Sequence, residues 1–154
     1  MHSFAEIYTD GSCHTLQCIG AWASVILYHN EKIKLSGIEF QTTHNRMEIL
    51  AVINSLKYVK EKWALVTKLK IISDSQYVIG LIERQSKFIA SDFKTKAGKD
   101  IRNVDLVKEL LILLKTIDVE FVKIKAHQKV TEIVNYNIEV DKLSRKLVRE
   151  AVRE

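Results

Sequence analysis

The sequence predicts a mixed α/β domain, with a central sheet covered by helices. Two observations carry that reading. The chain up to Phe40 holds three β-type apolar runs and no helical period. From Thr42 onward, helical apolar spacing alternates with short β-rich runs, giving the element order βββαβα(α)αβα.

Residues 4–10 alternate loosely and read as a strand that ends on an acid, Asp10, inside "IYTDGSC". Residues 19–29 and 31–40 read as two more strands joined around His29 and Asn30, so the three make an antiparallel meander. Over 42–63, Met47, Leu50, Ala51, Ile53, Leu56 and Val59 recur near helical spacing behind a threonine at the N-cap position. Residues 66–73 form a short strand, and 74–85 a helix with Asp74 as its N-cap. The weakly periodic stretch 86–103 reads as a basic loop with one short helix. A helix over 104–117 and a strand over 119–126 follow. The last helix, 137–152, sets Val140, Leu143, Leu147 and Ala151 on one face.

The 154 residues, 47% of them hydrophobic, suit one globular domain over 1–154. The chain has no repeat, no linker-like tract and no proline. No apolar run approaches the roughly 18 residues that span a bilayer, so no membrane partner is expected. The N-terminus lacks a basic segment followed by an apolar one, which argues against a secretory signal and for a cytoplasmic protein. Cys13 and Cys18 then read as ordinary thiols in a reducing compartment. A net charge of +5 permits a polyanionic partner without demanding one.

Four acids stand at element ends or near helix starts: Asp10, Glu48, Asp74 and Asp141. Strand ends and helix N-termini of an α/β sheet share an edge where ligands collect. Taken singly, each acid is more often a turn former, a cap or a solvated helix residue. Taken together they could converge, and carboxylates that converge repel one another unless cations lie between them. Hard oxygen ligands suit Mg²⁺ or Mn²⁺. A pair of such ions activates water and stabilises the leaving oxygen of a phosphodiester.

The words around these acids are "YTDGSC", "TTHNRMEI", "SDSQYV", "RNVDL", "KAHQK" and "NIEVDKLSRK". In this order and spacing, over nearly the whole chain, they resemble the type 1 ribonuclease H family. The resemblance implies a ribonuclease H-like fold: a five-stranded mixed sheet in the order 3-2-1-4-5 with helices on both faces. It implies endonucleolytic cleavage of the RNA strand of an RNA–DNA hybrid. It places the four metal-binding carboxylates on Asp10, Glu48, Asp74 and Asp141, with two Mg²⁺ ions that Mn²⁺ can replace. His127 matches a histidine that assists proton transfer or product release.

Hybrid contacts fall on Gly11 and on Asn45 and Gln76 near ribose hydroxyls, and a DNA-phosphate pocket falls on Thr43 and Asn103. Residues 84–102 match a basic substrate handle, with Lys94, Lys96 and Lys99 as phosphate contacts. Phe88 and Phe93 stand where the family often has tryptophan, and either lean on a sugar or anchor the loop. Water, rather than the RNA 2′-hydroxyl, is the expected nucleophile, leaving 5′-phosphate and 3′-hydroxyl ends. The chain departs from the family pattern at "HTLQCIGAW", where a Gly/Pro-rich turn is usual, and at "IASD", where strong handles are basic. The stretch from His127 to Asp141 is also longer than in many bacterial members.

The expectation is a free-standing monomeric enzyme with no obligatory protein partner. Two other readings stay open: a ribonuclease H domain derived from a reverse transcriptase, and a non-catalytic nucleic-acid-binding module on this fold.

Overall fold

In the N-terminal meander each strand pairs with the next. The computed structural model describes residues 4–124 and 135–153. In it β1 spans Phe4–His14, β2 Ile19–Tyr28 and β3 Glu31–Glu39, and both pairings are antiparallel. Only His29 and Asn30 separate β2 from β3, and His29 turns the chain with φ 46°. Two further strands, β4 (Lys68–Ser73) and β5 (Asp118–Lys123), add in parallel on the other side of β1. The result is a five-stranded mixed sheet in the order β3-β2-β1-β4-β5, the order the resemblance implied.

The helices are α1 (His44–Lys62), α2 (Gln76–Glu83), α3 (Gln85–Ala90), α4 (Val104–Leu114) and α5 (Tyr136–Arg153). Strand alternation divides the core. Ile7, Ile26 and Ile71 face α1 and α4, where they join Ile53, Leu56 and Leu110 in the main cluster. Ala23 and Val25 face the opposite way and pack with Val140 of α5. Helices therefore cover both faces. No helix among the described residues is long and apolar enough to cross a membrane, and Cys13 and Cys18 are free thiols.

Several boundaries differ from expectation. β1 does not end on Asp10; it continues to His14 because β2 pairs with it as far as His14↔Ile19. What ends near Asp10 is the pairing on the other side, since the last β1–β4 partners are Tyr8 and Ile72. Asp10 thus lies where the strand keeps one neighbour and loses the other.

The cap of α2 is Ser75, not Asp74, and the Ser75 hydroxyl accepts a hydrogen bond from the Val78 amide. The helix predicted over 74–85 breaks at Arg84, after which α3 begins. α3 (Gln85–Ala90) is the one short helix expected in the basic stretch, and it begins one residue before that stretch. α4 stops at Leu114 and β5 at Lys123, earlier than the periodicity suggested.

Candidate active site

The cluster begins with one close backbone approach. Gly11 faces α1, and a Cβ there would lie 2.7 Å from both the Glu48 nitrogen and the Met47 carbonyl carbon. No L side chain fits that gap, so glycine lets α1 rest directly on β1. The next residue back, Asp10, points to the opposite side of the strand, and Glu48 is held beside it by the contact. Asp10 is 4% exposed and Glu48 2%.

The third acid follows from register. Tyr8 pairs with Ile72 in the parallel β1–β4 ladder, so two residues further Asp10 and Asp74 lie level. One carboxylate oxygen from each of Asp10, Glu48 and Asp74 lies within 4.8 Å of the others. The fourth, Asp141, comes from α5 on the other sheet face and lines the same cavity of about 310 Å³. It stands outside the tight three-oxygen group and forms an ion pair with Arg145, Nε to Oδ1 at 3.2 Å.

Crowding these acids has an electrostatic cost. Burial first, then the charges of Glu48 and Asp74, push the Asp10 carboxyl up to about 9. Glu48 is also raised, mainly by burial, although His44 opposes the shift. His44 Nε2 lies 3.1 Å from Glu48 Oε1 one helical turn away, and that hydrogen bond raises the histidine in turn. Glu48 Oε2 is buried with no hydrogen-bond partner among the described residues. An orphaned buried carboxylate oxygen, facing two more acids, fits a divalent cation of the Mg²⁺ or Mn²⁺ type.

Asn45 and Gln76 line this cavity, as does Gly11. Thr43 caps α1: its hydroxyl accepts from the Arg46 amide at 3.2 Å. Asn103 lies alongside, because its Oδ1 accepts from Arg46 Nη1 at 3.3 Å and its Nδ2 donates to the Tyr77 hydroxyl at 2.9 Å. Arg46 also makes a bidentate pair with Asp105, at 3.0 and 2.9 Å. Thr43 and Asn103 are therefore joined through Arg46, a residue the sequence reading did not single out.

His44, Tyr77 and Arg145 were missed too. The signals available were the i,i+4 spacings His44–Glu48 and Asp141–Arg145, which are too common to have decided anything alone.

The basic segment stands to one side. Lys94 and Lys96 line a second cavity of about 300 Å³ with Arg84, Lys87 and Phe88. Lys94 is ion-paired with Asp100 across an isolated bridge. Gly98, at φ 80°, closes the turn at its tip, where the Lys99 amide donates to Thr95 Oγ1 at 3.3 Å. Phe88 is buried, and Phe93 stacks against it with centroids 6.4 Å apart. Of the two roles weighed for these rings, both serve as anchors here. His127 lies outside the described residues.

Comparison with known proteins agrees with this geometry. The family model for RNase H matches residues 2–149. A ribonuclease H of Caldicellulosiruptor saccharolyticus is 35% identical over 146 residues, 94% of this chain and 95% of that protein. One from Thermoanaerobacter pseudethanolicus is 38% identical over 151 residues, 97% of this chain and 92% of the relative. Among solved structures, LC9-RNase H1, described as a type 1 RNase H with the type 2 active-site motif, superposes with a TM-score of 0.81. It covers 97% of this chain and 74% of its own at 19% identity, and so speaks to the fold. With the fold, the clustered acids and the near full-length matches in agreement, this chain belongs to the RNase H family.

Proposed function

We propose that this chain hydrolyses the RNA strand of RNA–DNA hybrids endonucleolytically, with two Mg²⁺ ions at the acidic cavity. The observation that carries the proposal is the convergence of Asp10, Glu48 and Asp74 oxygens within 4.8 Å, with Asp141 lining the same cavity. Divalent cations, when bound, supply positive charge to the phosphodiester and activate water for attack.

The protein's own groups do the rest. Asp10 and Glu48 are fixed by the β1–α1 contact, so their oxygens stay in place without an ordering cost at the moment of binding. The side-chain amides of Asn45 and Gln76, on the cavity wall, can both donate to and accept from ribose 2′-hydroxyls. Thr43, Asn103 and Arg46 form a polar set at the α1 N-terminus, where a DNA phosphate gains from free backbone N–H groups and a guanidinium. The handle lysines Lys94, Lys96 and Lys99 track phosphates further along. His127 assists proton transfer or product release.

The family resemblance and the cavity support an enzyme over a passive binding module, because clustered buried acids cost stability and repel phosphates. The test is cleavage of an end-labelled RNA–DNA hybrid with and without Mg²⁺. Cleavage that needs Mg²⁺ and leaves 5′-phosphate ends is the expected result. A folded protein that binds hybrid and never cuts it, in Mg²⁺ or Mn²⁺, overturns the proposal.

A further inference from the structure

The handle is not the only basic surface beside the cavity. Residues 84–102 hold six cations and two acids. Residues 142–153, the part of α5 beyond Asp141, hold five cations (Lys142, Arg145, Lys146, Arg149, Arg153) and one acid, Glu150. Each segment carries four more cations than acids, in a chain whose net charge is +5.

The α5 cations are sorted to one side by the helical period. Val140, Ser144 and Val148 are buried against the sheet. All five cations are exposed. Arg145, Arg149 and Arg153 follow at i,i+4 steps and form one ridge, with Lys142 and Lys146 beside it. The ridge starts at the cavity, since Arg145 lines it and reaches Asp141. At 1.5 Å per residue it runs about 16 Å from Lys142 to Arg153.

Little of this charge is neutralised within the protein. Arg145 pairs with Asp141, and Lys146 reaches Glu150 only at 4.0 Å with both side chains exposed. Lys142, Arg149 and Arg153 have no acid within ion-pair distance among the described residues.

The two basic surfaces lie on opposite sides of the sheet. Phe88, Phe93 and Ile101 tie the handle to the main core on the α1 face, whereas α5 packs on the other face with Ala23 and Val25. The acidic cavity opens between them. A polyanion seated at the cavity and held by the handle therefore continues, on its other side, toward α5.

We propose that the Lys142–Arg153 ridge of α5 binds the phosphate backbone of the hybrid where it runs past the cavity, on the side away from the handle. This rests on the proposed function of the cavity. A solvated helix face is the ordinary role for exposed cations. Two features favour binding instead: the charge excess equals that of the handle, and the ridge is continuous with the cavity wall.

The test uses the triple variant Lys142→Ala, Arg149→Ala, Arg153→Ala, which leaves the cavity residues intact. Its folding is checked by circular dichroism and melting. Affinity for hybrids of increasing length is measured by fluorescence anisotropy in Ca²⁺ at several salt concentrations. Cleavage in Mg²⁺ is followed in parallel.

Five duplex steps at about 3.4 Å cover the ridge. Lengthening a short hybrid by about 5 base pairs on each end should therefore tighten wild-type binding and barely help the variant. On the long hybrid the variant should bind about tenfold more weakly, with a salt slope lower by about 2–3, while kcat at saturation is unchanged. A charge-preserving variant, Lys142→Arg with Arg149→Lys and Arg153→Lys, should bind like wild type.

If wild type cleaves hybrid but the alanine variant matches it in affinity and salt slope at every length, the α5 assignment is overturned and the cavity reading stands. If wild type cleaves no hybrid at any length, the cavity reading fails and this inference falls with it.

Discussion

The acidic cavity and the basic handle solve opposite problems. The cavity gathers like charges and holds them by contact. Asp10 and Glu48 are nearly buried, and a backbone approach too tight for a Cβ fixes the strand to the helix. The handle spreads like charges over exposed side chains, pairing only Lys94 with Asp100 among its three lysines Lys94, Lys96 and Lys99 in the described residues. Its lysines sit on a small hairpin anchored by two phenylalanines and turned at Gly98. Chemistry on a phosphodiester needs atoms placed to within fractions of an ångström, which packing supplies. Attraction to a charged backbone needs only charge at roughly the right place, which long exposed side chains supply. The two regions should therefore respond to substitution in different ways.

The largest effect should come from Asp10→Asn. A neutral amide is a poor ligand for a hard cation, so hydrolysis should nearly vanish while hybrid affinity and the fold persist. Substantial activity in the folded variant, by single-turnover cleavage, would remove Asp10 from the metal assignment.

Gly11→Ala should come next. The added methyl meets backbone atoms that cannot rotate away, so α1 must lift from β1. The cost should be about 1–3 kcal/mol, the usual range for overpacking, and activity should fall as Asp10 and Glu48 separate. A melting temperature and kcat equal to wild type would show that the approach is not needed.

The handle should respond more mildly. Lys94→Ala, Lys96→Ala and Lys99→Ala together should raise KM several-fold with little change in kcat, the pattern of lost uniform binding. Lys94 should contribute least, because Asp100 already neutralises it. If steady-state kinetics put the loss in kcat instead, the handle shares in the chemistry and the contrast breaks.

The smallest effect sharpens the electrostatic side. Asp10 titrates at about 9 in the folded protein, far above its ordinary range. Below about pH 4 both folded and unfolded chains hold that proton. Between about 4 and 9 only the folded chain keeps it, so raising the pH favours unfolding. Without divalent cations the melting temperature should decline over that window. Millimolar Mn²⁺ should raise it most at the alkaline end, because a ligand of the folded state alone stabilises it. Thermal melts that are flat with pH and indifferent to Mn²⁺ would argue against a strained cluster.

The sheet was legible in the sequence because period and composition are local. Apolar runs marked the meander, helical spacing marked α1, and the threonine cap was Thr43 as expected. The acids were legible because each stands in a distinctive word of the sequence. The end of β1 was not, since it depends on which neighbour a strand keeps, and β2 continues where β4 stops. Arg46 was not, since its partners Asn103 and Asp105 lie more than fifty positions away and only the fold unites them. The α5 ridge escaped for another reason. Its cations are interspersed with the apolar residues of the same helix, and only the burial of Val140, Ser144 and Val148 shows that they share one exposed side.

The placement of α5 also bears on how the molecule is made. Translation delivers β1 through β5 and the α1 face before α5. Asp10, Glu48 and Asp74 are by then all synthesised. Asp141 follows the end of β5 by eighteen residues, on a helix that docks on the opposite side of the sheet. A chain still emerging from the ribosome, and thus surrounded by RNA, lacks the last wall of its own cavity.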